Sequence, residues 1–381
     1  MFELSQTAYV QNYLNHEPHY LPMGIQDKII KWWVQNFYAT KMIKYEPGFI
    51  VSDFNHEFGH SFQRIVMLPE QCLIELEKKV LKKYDNGEEI LAQIGRLNGY
   101  SFAYHYSAPQ ISQAKFEKIQ KFMKNVFNYG YIGWAKEAEV ENLDYDEQKL
   151  KFSIKFDNHV ICRKNGIGYM SKVYSTLGVH EYIFNESLKI TNINCQGNGD
   201  EYCRIKAEST KNPLNVNFNN YQKSKYEYFN NIKEPQFSKT SFSDFFSSKI
   251  IQFQNGLIYM QGEVFVPALS SLIYILEDTI GSLNGGKELL YDIFYTWGAQ
   301  FVTENNVSFL TSVLSVFGFG DIKITKNKDS YNIILMHFPW DFRETKDMSI
   351  MRGICSGLLG GINLHNSKIY KSDNSITLQL S

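Results

Sequence analysis

Two periods of hydrophobicity organise the chain. Around Ile29, Ile30, Trp33, Phe37 and Ile43 apolar residues recur at helical spacing, which predicts an N-terminal helix burying one face. From Gly48 the pattern changes to alternation, and GFIV (Gly48–Val51) and QRIVML (Gln63–Leu68) read as strands. Pro69 then opens a helix with Cys72, Leu73, Leu76, Val80 and Leu81 on one side and lysines on the other. A second helix is expected from Glu88 to about Tyr106, carrying Gly95 and Gly99 four residues apart, where another helix or a ligand can approach the backbone. A third, from about Gln113 to Asn128, would bury Phe116, Ile119, Met123 and Val126. Alternating strands follow near Tyr131–Glu141 and Lys149–Cys162, reversed at Asp144-Tyr145-Asp146, and then a helix over Gly166–Tyr182.

That helix leads into SLKITNINCQGNGDEYCRIKAE (Ser187–Glu208), two short strands joined by a glycine-rich reversal with Cys195 and Cys203 at its feet. Gly197 and Gly199 permit positive φ there, so the turn can be tight and bring both thiols together. Such a pair supplies half of a four-ligand zinc site, the other half coming from elsewhere in the fold. A competing zinc motif, His56-Glu57-Phe58-Gly59-His60, would need a helix to put both imidazoles on one face. Its flanks alternate like strands and a glycine interrupts the turn, so a metalloprotease is not expected.

The run FDNHVICRKNGIGYMSKVYSTLG (Phe156–Gly178) and the cysteine loop together resemble the 4-vinyl reductase (4VR) domain, in the form found as the sensory region of bacterial activators that respond to phenols and alkylbenzenes. GFIV, QRIVML, GRLNGYSFA (Gly95–Ala103) and APQI (Ala108–Ile111) extend the likeness upstream, over about residues 45–208. The resemblance implies an α+β fold of helices packed on antiparallel sheet, related to TRAPP tethering subunits, commonly dimeric, with a cavity for a small apolar molecule. It also implies a zinc ion held by three cysteines and a glutamate. Cys195 and Cys203 match two of those cysteines, whereas Asn192 stands at the glutamate position and the remaining cysteine falls near Val173. Cys162, His180 and Glu181 are the available substitutes. The pocket would draw on Gly95, Gly99, Phe102, Ser112, Phe116 and Ser153. Ser112 replaces a histidine of the phenol sensors and Ser153 a tryptophan, so phenol itself is not the expected ligand.

The second half repeats the first. Val66-Met67-Leu68-Pro69 has a counterpart in Val264-Phe265-Val266-Pro267, and Glu89 to Phe102 corresponds to Glu288 to Phe301. Strands near Phe319–Thr325 and Ser330–Phe338, a helix through Met348–Leu359 and a closing hairpin (Ser367–Tyr370, Ser375–Leu380) complete this copy, with Lys371–Asn374 in place of the cysteine loop. The expected organisation is an arm at 1–45, a 4VR-type domain at 46–208, a linker rich in Asn, Lys and Pro at 209–245, and a second domain lacking the cysteine loop at 246–381.

Composition narrows the function. Thirty-nine basic against 40 acidic side chains leave no electrostatic footprint for nucleic acid or anionic membrane. No apolar run reaches the roughly 18 residues of a membrane span, Met1–Tyr20 lacks the signature of a secretory signal, and five cysteines suit a reducing compartment, so a cytoplasmic location is expected. The 28 Phe, 25 Tyr and 5 Trp residues fit either codon bias or the walls of an apolar cavity. No Walker A sequence or basic helix-turn-helix is evident, so a sensor of this kind would signal through a protein partner or a homodimer. The sequence thus points to a non-enzymatic protein that binds an apolar or aromatic small molecule. The alternatives are a dimeric interaction scaffold, and an enzyme or accessory factor for tetrapyrrole-type reduction.

Overall fold

The computed structural model describes residues 43–56, 59–120, 122–123, 135–139, 150–162, 166–214, 235–254, 257–301, 307–327, 330–339, 347–360, 367–371 and 375–379. The predicted N-terminal helix and much of the 209–245 linker lie outside them. The fold is α+β with antiparallel sheets, and its residues group into two units.

The first unit runs from Leu91 to the end of β7. Helix α2 (Gly87–His105) enters it at Leu91. Strands β4 (Ala135–Glu139), β5 (Lys151–His159), β6 (Glu186–Asn194) and β7 (Cys203–Pro213) form one antiparallel sheet in the order β4-β5-β7-β6. Between β5 and β6 the chain makes a π-helical turn (Tyr169–Tyr174) continuous with α3 (Ser175–Phe184). Phe152, Ile154, Ile205 and Ala207 of the sheet and Val173, Leu177 and Ile183 of the helix join in one buried cluster.

Gly95 and Gly99 sit where α2 crosses that helix. A Cβ at either would strike the backbone of Met170 or Ser175, and one at Gly178 would strike Arg96. The small residues therefore permit close helix packing.

The second unit contains β1 (Ile43–Glu46), β2 (Phe49–His56), β3 (Gly59–Pro69), α1 (Glu70–Lys83) and the chain from α4 (Phe242–Ser247) onward, apart from a few residues at the β8–β9 reversal. With β8 (Ile251–Gln254), β9 (Leu257–Met260) and β10 (Glu263–Leu269), the first three strands make a six-stranded sheet, β1-β2-β3-β10-β9-β8. Strands from both halves of the sequence thus share one sheet. Its centre is symmetric, because Leu68 pairs with Val266, its own counterpart in the repeat.

Helices α5 (Ser270–Thr279), α6 (Gly286–Phe301), α7 (Val307–Val316) and α8 (Ser349–Leu358) accompany a second four-stranded sheet. Its strands β11 (Asp321–Asn327), β12 (Ser330–Met336), β13 (Lys368–Lys371) and β14 (Ser375–Gln379) are ordered β11-β12-β14-β13. This is the strand order of the first unit's sheet. Glycines again line the helix crossing: Gly298 of α6 faces Ile354 and Leu358, and Gly353 of α8 faces Tyr291.

Two sequence readings resolve here. His56 closes β2 opposite Gly59, and His60 lies in β3 opposite Asn55, so the two histidines sit on paired antiparallel strands and not on one helix face. Residues 209–213, placed in the linker by composition, extend β7, with Glu186 of β6 paired to Pro213.

Candidate metal centre

Three elements deliver three thiols to one point. Cys162 follows β5, Cys195 follows β6, and Cys203 opens β7. All three are buried, at 0%, 1% and 0% exposure. Their Sγ atoms lie within 4.8 Å of one another, and Cys162 and Cys195 are 3.6 Å apart. Among the described residues, no other His, Cys, Asp or Glu joins this group.

The loop holding Cys195 and Cys203 is fixed by local hydrogen bonds. The amides of Asn198 and Asp200 donate to the Cys195 carbonyl at 2.9 and 3.2 Å, while the Cys195 amide donates to Asp200 Oδ2 at 2.6 Å. Gln196 adds its amide against Cys203 Sγ at 3.4 Å. Gly199 adopts φ +93°, as the sequence predicts. Gly197 serves another purpose: a Cβ there would collide with the Gly166 carbonyl, so it admits the segment that carries Cys162's neighbours. The Gly166 and Ile167 carbonyls lie 3.7 Å from Cys195 Sγ.

Two further buried side chains touch the cluster: Gln196, whose Oε1 lies 3.7 Å from Cys203 Sγ, and Lys172, which is fully buried. For Lys172 the contacts are closer. Its Nζ lies 3.0 Å from Cys162 Sγ and 3.4 Å from Cys195 Sγ. The π-helical turn presents it: Gly168, at φ +66°, starts the turn, and its carbonyl accepts from the amides of both Lys172 and Val173 at 3.0 Å. Such turns concentrate at functional positions. Burial pulls the Lys172 ammonium toward neutrality, but the Cys162, Cys203 and Cys195 sulfurs outweigh this and hold its pKa above the ordinary lysine value. Cys195 is held well below the usual thiol range, chiefly by the hydrogen bond from Cys162 and then that from Cys203. Burial pushes Cys162 up.

Cys195, Cys203 and Cys162 of the sequence-derived set therefore converge, and together they could hold a metal ion. His180 and Glu181 are engaged elsewhere. His180 Nδ1 donates to the Thr176 carbonyl at 2.8 Å, its ring stacks on Phe152 at 3.7 Å, and burial lowers its pKa to about 4. Glu181 accepts from the Leu188 amide at 3.0 Å and pairs with Arg96 at 3.6 Å. Asn192 is exposed on β6, and Val173 is buried one residue past Lys172. Sequence reasoning missed Lys172. Its only trace there was that it is the one charged residue between Ile167 and Leu177.

The six residues assigned to a ligand pocket lie on α2, on β5 and in the stretch from Ser112 to Phe116. Gly95 and Gly99 pack helices, Phe102 stacks on Tyr106 at 5.1 Å, and Phe116 lies against the core cluster. Ser112 is exposed, and Ser153 alternates with the buried Phe152 and Ile154 on β5. No described helix is long and apolar enough to cross a membrane. Searches against protein-family models and curated proteins find no match to this chain.

Proposed function

We propose that this protein is a non-catalytic regulatory module whose first unit is stapled by a zinc ion at Cys162, Cys195 and Cys203. Its task in this reading is to bind a small apolar or aromatic molecule and pass the change on through contact with a protein partner or a second copy of itself. The observation that carries it is the convergence of three fully buried thiols from three separate elements. The donor set fits zinc, which takes thiolate sulfur readily and closes structural sites in the interior. Cys162, Cys195 and Cys203 would hold the ion, whose contribution is to cross-link the ends of β5, β6 and β7. Burial of the donors favours such a structural role over catalysis, because a catalytic ion keeps an open position for substrate. The ligand half of the reading is supported by the motif resemblance around the cysteine loop and by the aromatic-rich composition.

Native mass spectrometry of the full-length protein tests both halves. The expected spectrum shows one divalent metal per chain and an additional small-molecule mass that is released by organic solvent. A spectrum matching the bare polypeptide, unchanged after incubation with zinc and with a panel of alkylbenzenes and medium-chain fatty acids, would overturn the reading.

A further inference from the structure

Lys172 points to how the cluster treats an ion, and the inference rests on the metal reading above. A buried lysine is expensive unless its charge is matched. Here, among the described residues, the partners of its Nζ are sulfurs, at 3.0 and 3.4 Å. The Nζ atom lies against two of the three sulfurs, the position from which N–H···S hydrogen bonds reach metal-bound thiolates. In ordinary four-ligand zinc sites a fourth protein donor completes the tetrahedron. Among the described residues, none of His, Cys, Asp or Glu is available to do so.

We infer that the site is a three-thiolate centre for a thiophilic metal ion, in which Lys172 acts as the N–H···S hydrogen-bonding partner of Cys162 and Cys195 rather than as a coordinating nitrogen.

The test uses full-length protein stripped of metal and titrated with Zn(II), and with Co(II) as a spectroscopic probe, each against a competing chelator. Wild type is expected to bind one Zn(II). The Lys172→Met variant should bind Zn(II) roughly 10- to 100-fold more weakly, the usual effect of losing an outer partner. Its sulfur-to-Co(II) charge-transfer band should move to lower energy as the N–H···S bonds are lost. Equal Zn(II) affinity and an unmoved band in the variant would overturn this inference and leave the metal reading standing, whereas wild type that binds no divalent ion would overturn both. Should the variant fail to fold, wild type decides: with lysine labelled in 15N and the site loaded with 113Cd, an ammonium nitrogen uncoupled to cadmium supports the inference, and a cadmium-coupled amine nitrogen refutes it.

Discussion

A single buried histidine shows how a local environment becomes a measurable property. His180 stacks on Phe152 and keeps its proton on Nδ1 for the Thr176 carbonyl, and burial lowers its pKa to about 4 from 6.5. Between those values the unfolded chain binds a proton that the folded chain refuses. This contribution to stability is therefore present above about pH 6.5 and is lost as pH falls toward 4. Urea unfolding at about pH 4.5 and pH 7 should show His180→Leu less sensitive to acid than wild type; equal sensitivity would contradict the assignment. Gly197 offers a second residue-scale test. Gly197→Ala should destabilise the first unit by about 1–3 kcal/mol through collision with the Gly166 carbonyl, while Gly197→Ala with ordinary thermal stability would show that the loop has room to shift.

At this scale the sequence was legible where chemistry is local. Cys195 and Cys203 are eight residues apart on one hairpin, so turn chemistry alone brought them together. Cys162 reaches them through the pairing of β5 with β7, where Phe156 lies opposite Cys203, and Lys172 reaches them through a π turn. Neither leaves a periodic trace in the chain.

Among the elements, α8 illustrates capping from a distance. Its N-cap Met348 is in the left-handed region at φ 51° and offers no side-chain oxygen. Glu277, on α5, supplies one instead, accepting from the Ile350 amide at 2.7 Å. Burial raises the Glu277 pKa to about 7 from 4.5, outweighing the backbone bonds at Ile350 and Ser349. The sign is opposite to that of His180. The folded state holds the proton more tightly, so this contribution is present below about pH 4.5 and declines as pH rises to about 7. Glu277→Gln should flatten that decline in the second unit, measured by pH-dependent hydrogen exchange of α8 amides; an unchanged slope would refute it. Asp321 plays a comparable role for the chain entering α4, accepting from the amides of Gln236, Phe237 and Ser238 at 2.6, 3.0 and 2.6 Å. Asp321→Ala strands three amides and should cost about 3 kcal/mol in chemical denaturation; a cost under about 1 kcal/mol would show that water replaces the carboxylate. Helices and strands were readable because burial imposes their periods. Capping across sequence distance was not, since it depends on tertiary placement.

For the whole molecule, the repeat seen in sequence takes a physical form. Both four-stranded sheets share one strand order, and Leu68 meets its counterpart Val266 at the centre of the six-stranded sheet. The internal similarity was legible from residue matches. That the two copies would contribute strands to one sheet was not, because strand partners leave no mark on either strand's own pattern. Leu68 and Val266 are both fully buried. Leu68→Ala should cost about 2–4 kcal/mol, and its double mutant with Val266→Ala should cost less than the two singles together, as expected of cross-strand neighbours.

The central claim, that three cysteines from three elements form one metal centre, is tested most directly by metal content per chain across single cysteine variants. The account predicts about one divalent ion per wild-type chain, loss of it in Cys162→Ser as fully as in Cys195→Ser and Cys203→Ser, and retention in Cys72→Ser and Cys355→Ser, whose thiols lie buried outside the cluster. Full metal content in Cys162→Ser, or none in wild type, would contradict it.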